Sequence, residues 1–116
     1  MKPGSPKYGI MISTGKLNVD DPTYPTPKYG MEWMISAPIP MKSAYAEANG
    51  CEPNFTNHAK CREDEPFIDV LEYIFLSPEW SVEGVKDLPH RDEVNGPLPS
   101  EQEPSDHILI AANMSL

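Results

Sequence analysis

Val70-Leu71-Glu72-Tyr73-Ile74-Phe75-Leu76, bounded by Asp69 on one side and Ser77-Pro78 on the other, is the stretch on which the fold turns. Its residues are β-branched, aromatic or leucine apart from one carboxylate, and turn-forming residues close it at both ends. Period-two alternation sends Val70, Glu72, Ile74 and Leu76 to one face and Leu71, Tyr73 and Phe75 to the other. Both faces are apolar except at Glu72, which predicts a central strand over about 70–76. A carboxylate on such a face is costly to desolvate, so Glu72 needs a cation or a hydrogen-bond donor beside it, unless the strand lies at an edge and Glu72 faces water.

A second buried strand is expected from Ile108 to Met114, after an acidic, proline-rich loop from Asp87 to Pro104. Ser5-Pro6 opens a short helix running to about Thr14, with Tyr8, Met11 and Ile12 at helical spacing and Gly15 as its stop. Ser43 to Ala48 reads as one or two helical turns closed by Asn49-Gly50. Phe55-Thr56-Asn57 reads as a short strand. Asn18 to Pro40 carries five prolines and no sustained period, so it reads as loop, with Tyr24, Tyr29 and Trp33 as its aromatic residues. The fold class is α/β with long Pro-rich loops.

Composition sets limits on function. Among 116 residues there are 14 Pro and 7 Gly, which is above the usual share of about 12% for the two together, so loops take much of the chain. The net charge of −9 has the wrong sign for gripping nucleic acid through a basic face. No apolar run approaches a membrane span, and Met1-Lys2-Pro3-Gly4-Ser5 has no signal-peptide character. An intracellular, reducing location without membrane contact is therefore expected, with Cys51 and Cys61 as free thiols. Cys51, His58, Cys61 and His90 do not follow a zinc-finger spacing and read as separate loop residues. Arg62-Glu63-Asp64-Glu65 reads as a solvated loop.

Asp106-His107 stands directly before the last strand, where such a pair can sit at the rim of a sheet as a metal-binding or proton-handling unit. The imidazole needs an acidic neighbour to fix its tautomer, and Glu72 supplies one if the two segments lie side by side.

Taken in order, Pro3-Gly4-Ser5-Pro6-x-Tyr8, Met41-Lys42-Ser43-Ala44-Tyr45, Asn49-Gly50, Glu52-Pro53-x-Phe55-Thr56-Asn57, Leu71 to Ser77 and Pro104-Ser105-Asp106-His107 resemble the C-terminal part of a DNase I-like phosphodiesterase domain. The superfamily is that of the endonucleases, exonucleases and phosphatases, and the resemblance is nearest to the nocturnin, Angel and carbon-catabolite-repression deadenylases. It implies one part of a four-layer α/β sandwich, with residues 1–116 as the C-terminal part of a single domain. It also implies a magnesium-dependent phosphodiesterase, a 3′-exoribonuclease acting on poly(A)-like RNA.

On that resemblance His107 contacts the scissile phosphate, Asp106 lies near the metal as its ligand, and Glu72 stands where the family has the aspartate that orients the histidine. Phe67 and Asn57 are implied as substrate-binding residues, Phe67 by stacking on a base, and Asp69 replaces a common glycine. The family's metal-binding glutamate and its Gly-Asp-Phe-Asn motif have no counterpart in these residues. Weak magnesium binding, little turnover by this chain, and dependence on the N-terminal half of the domain are the corresponding expectations. The alternative is a catalytically inactive piece that serves as an interaction segment.

Overall fold

The computed structural model describes residues 1–12, 15–24, 26, 36–37, 39–62 and 65–116. The expected end of the first helix at Thr14, the loop aromatics Tyr29 and Trp33, and Glu63-Asp64 lie outside these residues. Short helices stand among two-stranded antiparallel sheets, so the class is mixed α and β.

Helix α1 is Pro6–Ile12. Ser5 accepts the Tyr8 N–H on Oγ at 3.3 Å, and Pro6 occupies the first helical position, where its missing N–H costs nothing. The helix buries Tyr8 and Ile10 and leaves Ile12 exposed, so its inner face differs from the expected Tyr8, Met11, Ile12 stripe. Beyond it, β1 (Gly15–Lys16) pairs with β2 (Ser36–Ala37).

Strand β3 (Lys42–Ser43) leads straight into helix α2 (Ala44–Asn49). Gly50 ends α2 in the left-handed region with φ 77°, and its N–H donates to the Ala46 carbonyl. Any residue with a Cβ would be strained there, which is why the helix ends where the glycine stands. Ala44 and Tyr45 are its buried residues, and the Tyr45 hydroxyl donates to the Lys86 carbonyl at 2.9 Å and accepts the Ala111 N–H at 3.3 Å.

Strand β4 (Asn57–Ala59) starts two residues later than Phe55-Thr56-Asn57 suggests. It pairs antiparallel with β5 (Phe67–Asp69) in the register Asn57 to Asp69, His58 to Ile68 and Ala59 to Phe67. Its other edge meets the chain around His107, through a bridge between Asn57 and His107, and the chain at Leu98, through a parallel bridge from Ala59.

The expected single strand over 70–76 is not formed. β5 stops at Asp69, and only Phe75–Leu76, β6, is strand, paired antiparallel with β3. Local side-chain acceptors cause the interruption. The Val70 N–H goes to the Asp69 carboxylate at 2.8 Å, and the Leu71 and Glu72 N–H groups go to the Thr56 hydroxyl at 2.9 and 3.2 Å. Three successive donors are thus withdrawn from any strand ladder.

The last expected strand is also shorter. Ile108 is buried but irregular, and β8 covers Ala112–Ser115, paired with β7 (Ser81–Val85) across a register shift at Val82 and Gly84. Leu109 and Met114 are exposed, so this segment is not buried on both faces. The acidic, proline-rich stretch before it is loop, with one 3-10 turn at Arg91–Glu93.

Phe55, Leu98 and Ile108 form a buried cluster, and Ile68, Leu88 and Val94 pack against it. The cluster therefore sits behind β4, fastening together the same segments that flank it on both edges. Among the described residues no helix is long and apolar enough to cross a membrane.

Candidate functional site

The register around β4 gathers the candidate residues. Residues directly opposite one another in an antiparallel pair point to the same side of the sheet. Asn57 lies opposite Asp69 on one edge and opposite His107 on the other, so these three share a face. Phe67 joins it, two residues before Asp69 on β5 and opposite Ala59. Ile68, on the other face, packs on the buried cluster, and the His58 ring meets Phe55 edge-on with centroids 5.9 Å apart.

The rim segment is fixed through its backbone. His58 N–H donates to the Asp106 carbonyl at 2.9 Å, and Ile108 N–H donates to the Thr56 carbonyl at 2.7 Å. His107 is thus clamped from both sides in sequence. Its own N–H donates to the Ser105 hydroxyl at 3.1 Å, a turn that brings the chain onto the sheet edge.

His107 Nδ1 contacts Glu72 Oε1 directly. The carboxylate can only accept, so Nδ1 carries the proton, and Nε2 points away from Glu72. The Glu72 side chain is about a quarter exposed and that of His107 about half, which places the acceptor inside and the ring at the surface. The second Glu72 oxygen, Oε2, is buried and has no hydrogen-bond partner among the described residues. Glu72 therefore finds the donor its desolvation requires, but not on an adjacent strand. It reaches His107 from the irregular crossing between β5 and β6, past Thr56, and the expected side-by-side strand arrangement is replaced by one in which the β4 segment lies between them.

Asp106 is half-exposed, and its Oδ1 stands 3.8 Å from His107 Nε2. Phe67 is 37% exposed while Asn57 is 3% exposed, so of the two residues implied for substrate only Phe67 presents a surface. His58 is a buried strand residue rather than a loop residue, while Cys51 and His90 are exposed.

Sequence reasoning missed two parts of this face. Lys2 Nζ lies 2.7 Å from Asp69 Oδ2. Burial opposes the charge on Asp69, but the bond from Lys2, the Val70 N–H and the chain's terminal amine together hold its carboxyl below the ordinary range. The second is Thr56, wholly buried and bonded toward both Glu72 and Ile108. Its place directly before Asn57 was its only signal.

An aromatic group gathers around Tyr73, the residue after Glu72. Tyr73 stacks on Phe75 at 5.1 Å, and Tyr8 of α1 lies tilted against Tyr73 at 5.6 Å. Burial, followed by the negative charges of Glu52, Asp69 and Glu72, pushes the Tyr73 phenol up to about 12. The Tyr8 phenol, which donates to Glu52 Oε1 at 2.7 Å, is raised still further, by burial first and then by that bond.

No family model matches the chain, and no solved structure matches it. Among curated proteins it is similar to the carbon catabolite repressor protein 4 homolog 4 of Arabidopsis thaliana, with 38% identity over 84 residues. That match covers 69% of this chain and 19% of the relative, so the chain spans about a fifth of the relative's length. On this similarity the chain resembles about a fifth of a carbon catabolite repressor protein 4 homolog, in line with the resemblance carried by the ordered motifs from Pro3 to His107.

Proposed function

We propose that this chain is the C-terminal part of a magnesium-dependent phosphodiesterase domain, a 3′-exoribonuclease of the poly(A) deadenylase kind, and that the β4 face is its phosphate-handling end. The observation that carries the reading is the contact between Glu72 and His107 on the same face as Phe67. Glu72 fixes the ring with its proton on Nδ1, which leaves Nε2 directed away from the carboxylate. When the ring takes a second proton, Nε2–H donates to a phosphate oxygen and offsets negative charge developing there. Asp69 lies two strand spacings from His107 and Phe67 two residues further along β5, so Phe67 stands about 12 Å away, within reach of the base of a nucleotide whose phosphate meets His107. Asn57, being buried, supports the face from beneath.

In the complete domain magnesium supplies polarisation of the phosphate and activation of water. Among the described residues no three His, Cys, Asp or Glu side chains converge in a metal-binding group. Asp106 alone does not make a magnesium site, and its role is to contribute one oxygen to ligands from the N-terminal half of the domain. In this reading the strand pairs belong to one part of the four-layer sandwich, RNA is the substrate, and the protein works inside the cell. A second reading, a non-catalytic interaction segment, is favoured by the same lack of converging ligands and by the net charge of −9.

The test is a titration of the chain with adenosine 5′-monophosphate in the presence of magnesium, followed by NMR. Shifts at the His107 ring and Phe67, weakened by His107→Ala and by Phe67→Ala, are expected. Shifts confined to other surfaces, or none at millimolar nucleotide, would overturn the phosphodiesterase reading and leave the interaction segment.

A further inference from the structure

We infer that Thr56 is a positioning residue for His107, acting through its hydroxyl, which holds the Glu72 backbone at the distance the imidazole contact needs. Thr56 is wholly buried. Its Oγ1 accepts two N–H bonds, from Leu71 at 2.9 Å and from Glu72 at 3.2 Å, which uses both lone pairs of the oxygen. The same residue holds the other partner through its main chain, since its carbonyl accepts the Ile108 N–H at 2.7 Å and its own N–H donates to the Asp69 carbonyl at 3.0 Å. One residue therefore bonds to Glu72 on one side and to the residue after His107 on the other.

Among the described residues no strand is formed from Val70 to Ile74; its far end is held where the Ile74 carbonyl accepts the Ala44 N–H at 2.9 Å, and its first three N–H groups end on side chains. Without the Thr56 oxygen, the Leu71 and Glu72 donors lose the acceptor that holds them against the buried Thr56, and the crossing is released to shift toward water. Glu72 moves with it. Among the described residues its carboxylate is tied to the structure only through His107, because Oε2 has no partner there. A displacement of about 1 Å is enough to break a contact of this kind and to disturb phosphate chemistry that depends on it. The functional meaning of the assignment rests on the phosphodiesterase reading, but its structural content does not.

The experiment compares the wild-type chain with Thr56→Val, Thr56→Ser and Glu72→Gln, using nitrogen NMR of the His107 ring and amide exchange. In the wild type, the Leu71 and Glu72 amides are protected to a degree comparable with Ile108. Thr56→Val, which keeps shape but removes the acceptor, lowers their protection about tenfold or more and shifts the ring nitrogens in the direction seen for Glu72→Gln. Thr56→Ser restores both. A folded Thr56→Val protein with unchanged His107 ring signals overturns the proposal. So does free exchange of the Leu71 and Glu72 amides in the wild type, a result that needs no variant to fold. Neither readout uses nucleotide, so a failed adenylate titration sinks the function without touching Thr56, and an unaltered ring spectrum sinks Thr56 without touching the function.

Discussion

Replacement of Phe55 by alanine tests whether one small cluster holds the whole site together. Phe55 has no exposed surface and is the largest member of a buried group completed by Leu98 and Ile108. Truncating a buried phenylalanine costs about 3–5 kcal/mol through lost transfer free energy and the remaining cavity. The group is small and opens to loops at Leu88 and Val94, so partial collapse should keep the loss near about 3 kcal/mol. At about 1.4 kcal/mol per factor of ten, that is a loss of more than about a hundredfold in the protection of nearby amides. The amides to follow are His58 and Ile108, which bond to Asp106 and Thr56 across the β4 edge. Hydrogen exchange should show both losing protection together, with the His107 ring signal broadening at the same time. Unchanged protection at Ile108 in a folded Phe55→Ala protein would refute the argument that the cluster fastens the rim of the site.

Ser43→Ala should be neutral or stabilising by about 1 kcal/mol in denaturant unfolding, because the Ser43 hydroxyl precedes α2 without capping it and is buried with no partner. An ordinary N-cap would lose about that much instead. Gly50→Ala should cost about 1–2 kcal/mol from the left-handed backbone, whereas Gly9→Ala, inside α1 with open space for a Cβ, should gain about 0.5–1 kcal/mol; their opposite signs are the check. The Asp69 carboxyl is depressed in the folded chain, so its contribution is present above its unfolded value of about 3.9 and is lost as pH falls through the folded one. Acid unfolding of Asp69→Asn should therefore lack that part of the wild-type pH dependence. The Tyr73 phenol is shifted the other way, so its contribution is full below the ordinary phenol value and fades as pH rises toward about 12; Tyr73→Phe should remove the phenolate absorbance that develops there.

Local chemistry was legible where one residue decides the outcome. Asn49-Gly50 ends α2 because the left-handed backbone needs a glycine, and Ser5-Pro6 opens α1 for equally local reasons. The need of Glu72 for a donor followed from desolvation alone, while the choice of His107 came from the order of motifs. Alternation over 70–76 misled because it describes side chains and says nothing about where the N–H groups go. Here Asp69 and Thr56 oxygens capture three of them, and a threonine 15 residues upstream of Leu71 leaves no periodic trace. Strand β7 was missed for the opposite reason, since Ser81-Val82-Glu83-Gly84-Val85 holds only two apolar residues and a glycine at its bulge. The shared face of Phe67, Asp69, Asn57 and His107 depends on a register across three segments, which no single window of sequence contains.

That register decides how related chains can change in length. Residues added between Lys60 and Pro66, where β4 turns back to β5, leave every side chain on its present side. One residue added between Phe67 and Asp69, or lost from Asn57–Ala59, carries the ring or the carboxamide through the sheet to the buried cluster and brings an apolar neighbour out in its place. Length variation among functional relatives should accordingly collect in the connection and avoid the two short strands.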